Sequence, residues 1–157
     1  MRAICFLPAV LALAPALSWG LDPMTADILT LRLGMRSAEA MAHLAIQGAP
    51  VTQGPGAPDG GGSILARTRD GQLRIAFSPA GEAREIVYMF NGRGPNEANL
   101  VRDAVIARFG RPLLETPLTW CRAPMPDGVC PSGQPRLSFR PDGGPAGVLT
   151  LTAEAAP

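Results

Sequence analysis

Glycine and proline punctuate this chain so often, 18 and 17 times in 157 residues, that every element of secondary structure must be short. Together they come to roughly a fifth of the sequence, just below the ~25–30% at which structureless low complexity is the better reading. Between them lie brief, patterned segments, and their order predicts an α+β fold. The length suits a single domain on the usual scale of about 100–200 residues.

The first twenty residues read as a secretory signal peptide. Met1 and Arg2 supply the positive start, and Ala3 to Leu17 form an apolar run interrupted by Pro8 and Pro15. A spanning helix needs about 20 apolar residues, and this run is shorter. Small residues offer cleavage after Ala16, Ser18 or Gly20. Cys5 lies at the very start of the apolar run and is too early to be a lipidated cysteine. The expected mature chain, residues 21–157, therefore has no stable membrane span. It loses Arg2 and keeps thirteen arginines against thirteen carboxylates. Duplex-binding proteins concentrate a basic excess on one face, so no nucleic-acid partner is expected.

Loss of Cys5 leaves Cys121 and Cys130 as a pair. In an oxidising compartment such a pair forms a disulfide, which for a loop of about ten residues contributes about 2.5 kcal/mol. Redox pairs sit two residues apart at a helix start, and a zinc site takes four ligands that the chain does not supply. No metal and no cofactor is expected.

Along the mature chain, Thr25 to Leu33 alternates Leu29, Leu31 and Leu33 with Thr30 and Arg32, the period of a half-buried strand. Ser37 is read as the cap of a ten-residue helix with Glu39 in its first turn and Met41, Leu44 and Ala45 on one face, ended by Gly48 and Pro50. Residues 50–62 show no apolar period and read as a loop. A meander follows: Ile64–Arg69 and Leu73–Ser78 flank Asp70-Gly71, a strong hairpin signal. Glu85–Phe90 is nearly all apolar, which suits a central strand covered on both faces. Asn96–Phe109 is a second helix with Leu100, Val101, Ala104, Val105 and Phe109 as its stripe. Thr116–Cys121, Arg136–Arg140 and Val148–Thr152 read as three further strands. Both helices leave through Gly-x-Pro, and about three strands follow each. The expected fold is thus a strand and two α-β-β-β units forming antiparallel sheet packed by two helices, with pseudo-repeats at 27–90 and 91–153.

Leu33-Gly34-Met35, a short helix containing Glu39-Ala40, and the exit through Gly48-Ala49-Pro50 resemble the SmpA/OmlA (BamE-like) periplasmic module. The sequence is also similar to secreted alphaproteobacterial proteins with a Leu-Gly-Met helix start and a later Phe/Tyr-Gly-x-Pro exit, here Phe109-Gly110-Arg111-Pro112. The resemblance covers residues 27–112. It implies helices against an antiparallel sheet and a role in binding other envelope proteins. The chain departs from it in having no lipoprotein cysteine after the apolar segment and in carrying a second helix unit.

Chemistry is sparse. All fourteen basic residues are arginine, which excludes a phosphate-loop lysine, a Schiff base and a Ser–Lys dyad. The single histidine, His43, falls on the helix face opposite Met41, Leu44 and Ala45 and is read as facing water. No local serine or cysteine pairs with it, and no hydrolase or metalloprotease motif occurs. No catalytic residue is assigned. The best small-ligand candidate is Gly92-Arg93-Gly94, where free N–H groups at a helix start favour an anion or a partner contact. The competing reading is a turn that needs glycine for backbone freedom. Arg67, Arg69, Arg74, Arg136 and Arg140 lie on strands; should they share one face, that face suits an acidic protein surface. Three functions follow in order: a non-catalytic periplasmic binding or envelope-assembly module, a secreted inhibitor or accessory protein of a hydrolase, and a small enzyme. For the second, residues 122–129, with Pro124, Met125 and Pro126 braced by the disulfide, form a pre-organised loop.

Overall fold

The computed structural model describes residues 22–54, 61–92, 96–122 and 130–153. Helix α1 spans Ser37–Ile46 and is followed by β1 (Val51–Gly54), β2 (Ser63–Arg67), β3 (Gly71–Phe77) and β4 (Ala83–Phe90). Helix α2, Glu97–Phe109, precedes β5 (Leu114–Glu115), β6 (Leu118–Cys121), β7 (Arg136–Arg140) and β8 (Val148–Thr152). All eight strands belong to one antiparallel sheet in the order β1-β2-β3-β4-β8-β7-β6-β5. The chain is therefore mixed α+β and mostly sheet. Four strands follow each helix, where three were expected.

Several expectations are corrected. Thr25–Leu33 is not a strand. Ile28 and Leu31 exchange two backbone bonds of 3.0 Å across a tight turn whose central residues, Leu29 and Thr30, have φ of 53° and 68°. Left-handed backbone at a leucine and a β-branched threonine costs on the order of 1–3 kcal/mol per residue. Gln47 stabilises the turn by donating from Nε2 to the Leu29 carbonyl at 2.9 Å. The leucine alternation arises because Leu31 and Leu33 are both core residues, not because the segment is extended.

Ser37 does not cap α1. The N-cap is Arg36, without a side-chain cap bond, and the Ser37 amide donates to the Gly81 carbonyl at 3.1 Å. The helix exit follows expectation. Gly48 (φ 67°) donates to Ala45 O, and Ala49 to Leu44 O, which closes a Schellman motif. The buried stripe of α1 is Ala40 and Leu44, whereas Met41 and Ala45 are exposed. In α2 only Val105 and Phe109 are fully buried, and Leu100 is 66% exposed. Helix α2 is tied to the sheet by Trp120, whose Nε1 donates to the Gly110 carbonyl at 3.0 Å.

Two short strands escaped the sequence reading. Val51–Gly54 falls in the segment read as a loop, and it pairs with β2 from Val51↔Ala66 to Gly54↔Ser63. An edge strand needs only a row of backbone bonds on one side, so it carries no apolar period. Thr116 and Pro117, expected to open a strand, form the turn between β5 and β6 instead, because proline has no N–H to give the ladder. The β2–β3 hairpin turns on Arg69-Asp70, one residue earlier than expected. Thr68 donates to Gly71 O at 2.9 Å, and a Cβ on Gly71 would run into the Met89 carbonyl and the Tyr88 ring. The bounds of β7 and β8 agree with expectation.

Register fixes the two faces. Ile75, Ile86, Leu151, Leu137 and Trp120 lie in one cross-strand row, and Leu73, Tyr88, Leu149, Phe139 and Leu118 in the next. These residues share one core with Ala40 and Leu44 of α1 and Val105 and Phe109 of α2. The aromatic rings join within it: Phe109 meets Trp120 at 6.1 Å between centroids, and Tyr88 meets Phe90 edge-on at 4.7 Å.

Candidate functional site

Each strand that sends a side chain to the core sends its neighbours to the opposite side. On that second face Leu65, Arg74, Val87, Thr150, Ser138 and Thr119 form a row across six strands. Arg67, Gln72, Met89, Val148 and Arg140 form a parallel row, and Ala76, Glu85, Thr152, Arg136 and Cys121 a third. Neither helix contributes a residue to this side. Two open grooves run over it, one of about 570 Å³ on the β1–β4 half and one of about 1010 Å³ on the β4–β8 half. Arg74 and Val87 line both, so the grooves are continuous.

Strand β4 departs from expectation in an informative way. Its apolar run was read as covered on both faces, but only Ala83, Ile86 and Tyr88 are buried in the core. Val87 is half-buried and Met89 is 39% exposed, as is Leu65 of β2 at 38%. Val87 and Met89 on β4, and Leu65 on β2 across Arg74, thus keep apolar surface in water.

The charge on this face is one-sided. Arg67, Arg74, Arg136 and Arg140 all point to it by register. A bulge between Ala76 and Phe77 places Arg84 along the same groove. Glu85 is the carboxylate of the face and it pairs with Arg74. Four of the five strand arginines singled out in the sequence therefore share one face; Arg69 sits in the hairpin turn. Cys121 and Cys130 are bonded, with Cα atoms 5.9 Å apart, and Cys121 faces the open side next to Arg136.

The Gly92-Arg93-Gly94 candidate is described only at Gly92, since Arg93 and Gly94 lie outside the described residues. A Cβ on Gly92 would collide with the Pro145 carbonyl, so a close backbone approach already accounts for this glycine. Most of the 122–129 loop and all of residues 1–20 likewise lie outside them. His43 does not simply face water: it is half-buried, with Nδ1 3.4 Å from Thr30 Oγ1 at the strained turn. That places it on the helix side, away from the open grooves. Among the described residues no cluster of three His, Cys, Asp or Glu is placed to hold a metal, and no helix is long and apolar enough to cross a membrane.

A third cavity, of about 190 Å³, lies on the helix side between α2, Tyr88, Leu149 and the Ile28–Leu29 turn. It falls below the ~300–1,000 Å³ usual for small-molecule sites, and Arg108 donates to Asp27 Oδ1 at 2.9 Å at its edge. The sequence signal for the open face was available in the strand arginines and in the unbroken apolar run of β4. The missing information was which face the helices would cover. No family model, curated protein or solved structure matches this chain.

Proposed function

We propose that this chain is a non-catalytic exported module that binds another protein of the cell envelope through the open face of its sheet. The observation that carries the reading is β4. It has the composition of a strand covered on both faces, yet between arginines Val87 is only half-buried and Met89 is exposed. Contiguous apolar surface rimmed by polar groups is the mark of an interaction site. Export is supported by the leader-like first twenty residues and by the Cys121–Cys130 bond.

The same reading keeps the BamE-like resemblance of residues 27–112 and takes residues 27–90 and 91–153 as two pseudo-repeats. The support is topological: a helix and four strands occur twice, and the strand order is symmetric about the β4–β8 seam. The mature chain, recovered from the periplasm and used as bait on periplasmic extract, should retain a partner at several salt concentrations. Leu65→Glu with Met89→Glu should lose it. Retention of nothing above background by the unaltered chain contradicts the proposal, as does hydrolase activity that His43→Ala abolishes.

One observation favours a second reading, a secreted inhibitor or accessory protein of a hydrolase. Cys121, on the open-face side of β6, is bonded to Cys130, and a loop closed by such a bond loses little entropy on entering a cleft. Deleting residues 122–129 should then abolish inhibition of the target hydrolase and leave the fold intact. Undiminished inhibition disposes of that version.

A further inference from the structure

We infer that the element docking on the open face is an acidic protein segment with an apolar tip, its tip over Val87 and Met89 and its carboxylates among Arg74, Arg136 and Arg140. The inference rests on the reading that this face is the binding surface, and adds the chemistry of what binds there.

The whole chain is nearly balanced, at a formal +1, yet among the described residues of the strands the open face gathers Arg67, Arg74, Arg136 and Arg140 against Glu85 alone. Glu85 is already engaged by Arg74. Among the described residues no carboxylate lies within ion-pair distance of Arg67, Arg136 or Arg140. Their guanidinium groups are thus available to a carboxylate supplied from outside, and arginine offers the planar fork that suits it.

Arrangement adds to this. Arg74 stands on β3 and Arg136 on β7, three strand spacings apart, which is roughly 14 Å. Arg136 and Arg140 lie four residues apart on β7, roughly 13 Å. Inside this frame the register places Val87, Met89 and Thr150 as neighbours on β4 and β8, with Val148 beside Met89 buried against Gly143 and Gly144. An apolar centre with cationic corners is the complement of an apolar tip flanked by acids. An apolar anchor in the middle of an interface also matches where binding energy concentrates.

A nucleic acid is the competing polyanion, and the face argues against it. Single strands are held by stacking bases on aromatic rings. Here every aromatic residue of the described strands (Phe77, Tyr88, Phe90, Trp120 and Phe139) belongs to the core cluster or packs against it. What the open face presents between its arginines is aliphatic and hydroxyl-bearing.

The experiment is selection of a displayed random peptide library on the immobilised, disulfide-intact chain, followed by affinity measurement on the enriched peptides. They should combine Asp or Glu with a large apolar residue. Arg136→Glu with Arg140→Glu should weaken them about tenfold or more, and Arg136→Gln with Arg140→Gln by less, with thermal midpoints of both variants checked against the parent. Raising salt should weaken the parent more than the variants. Neutral or basic peptides that bind the parent and are lost with Met89→Glu overturn the acidic partner while leaving the face as the binding surface. Peptides indifferent to every open-face substitution overturn both. A library that yields no enrichment overturns the inference, and so does a 24-nucleotide DNA strand that binds more tightly than any peptide and is lost in the Arg136/Arg140 variants.

Discussion

The two faces of this sheet are built from the same strands and answer to different demands. On one, Ile86, Leu137, Leu151, Phe139 and Trp120 are sealed under two helices. On the other, Val87, Met89 and Leu65 lie among arginines and hydroxyls, and neither helix packs over them. Adjacent residues of β4 show the contrast most sharply: Ile86 is fully buried, whereas Val87 keeps part of its surface in water. The first face gives the fold its stability. The second keeps apolar surface in water, and the proposed interface rests on that surface.

The comparison breaks most easily at its most buried point. Trp120→Ala should cost about 3–5 kcal/mol in denaturant unfolding, because it opens a cavity and also removes the bond that ties the end of α2 to the sheet. Next in size, Ile86→Ala should cost about 3 kcal/mol, against less than about 1 kcal/mol for Val87→Ala one residue away. Equal costs would mean that the open face is structural after all.

Replacing Cys121 and Cys130 together by serine should lower stability by about 2.5 kcal/mol. A smaller effect than that of the disulfide is expected at Tyr88. Its hydroxyl lies 2.7 Å from Thr68 Oγ1, so Tyr88→Phe should cost about 1 kcal/mol. Burial, chiefly, raises the Tyr88 phenol above its ordinary 10.0; the bond to Thr68 acts the other way and Asp70 adds to the rise. A group with a raised folded value contributes stability that is complete below the unfolded value and is lost as pH climbs through the folded one. Alkaline unfolding above about pH 10 should therefore be steeper in the parent than in Tyr88→Phe.

How far the sequence announced these two faces depends on the element. Strands β7 and β8 were legible because alternation was clean and turn residues bounded them. The edge strands β1 and β5 were not, since pairing on one side leaves no apolar period to read. Leu29, Leu31 and Leu33 misled because their spacing fits a strand, while the backbone reverses at Leu29 and Thr30 under restraint from Gln47, eighteen residues on from Leu29. For the site, the arginines could be suspected of sharing a face, but their register required the ladder from β2 to β7. The apolar run of β4 was read correctly as central. Among the described residues neither helix covers its second face, and a tertiary fact of that kind leaves no mark on local pattern.

The most direct measurement compares the two faces in the cell. A photo-crosslinking residue is placed singly at Leu65, Val87 or Met89, and in parallel at Ile46 or Leu100 on the helices, both well exposed. If the account holds, irradiation of intact cells yields one discrete protein adduct from the open-face positions and none from the helix positions. Adducts that form equally from both sides, or from the helices alone, would contradict it.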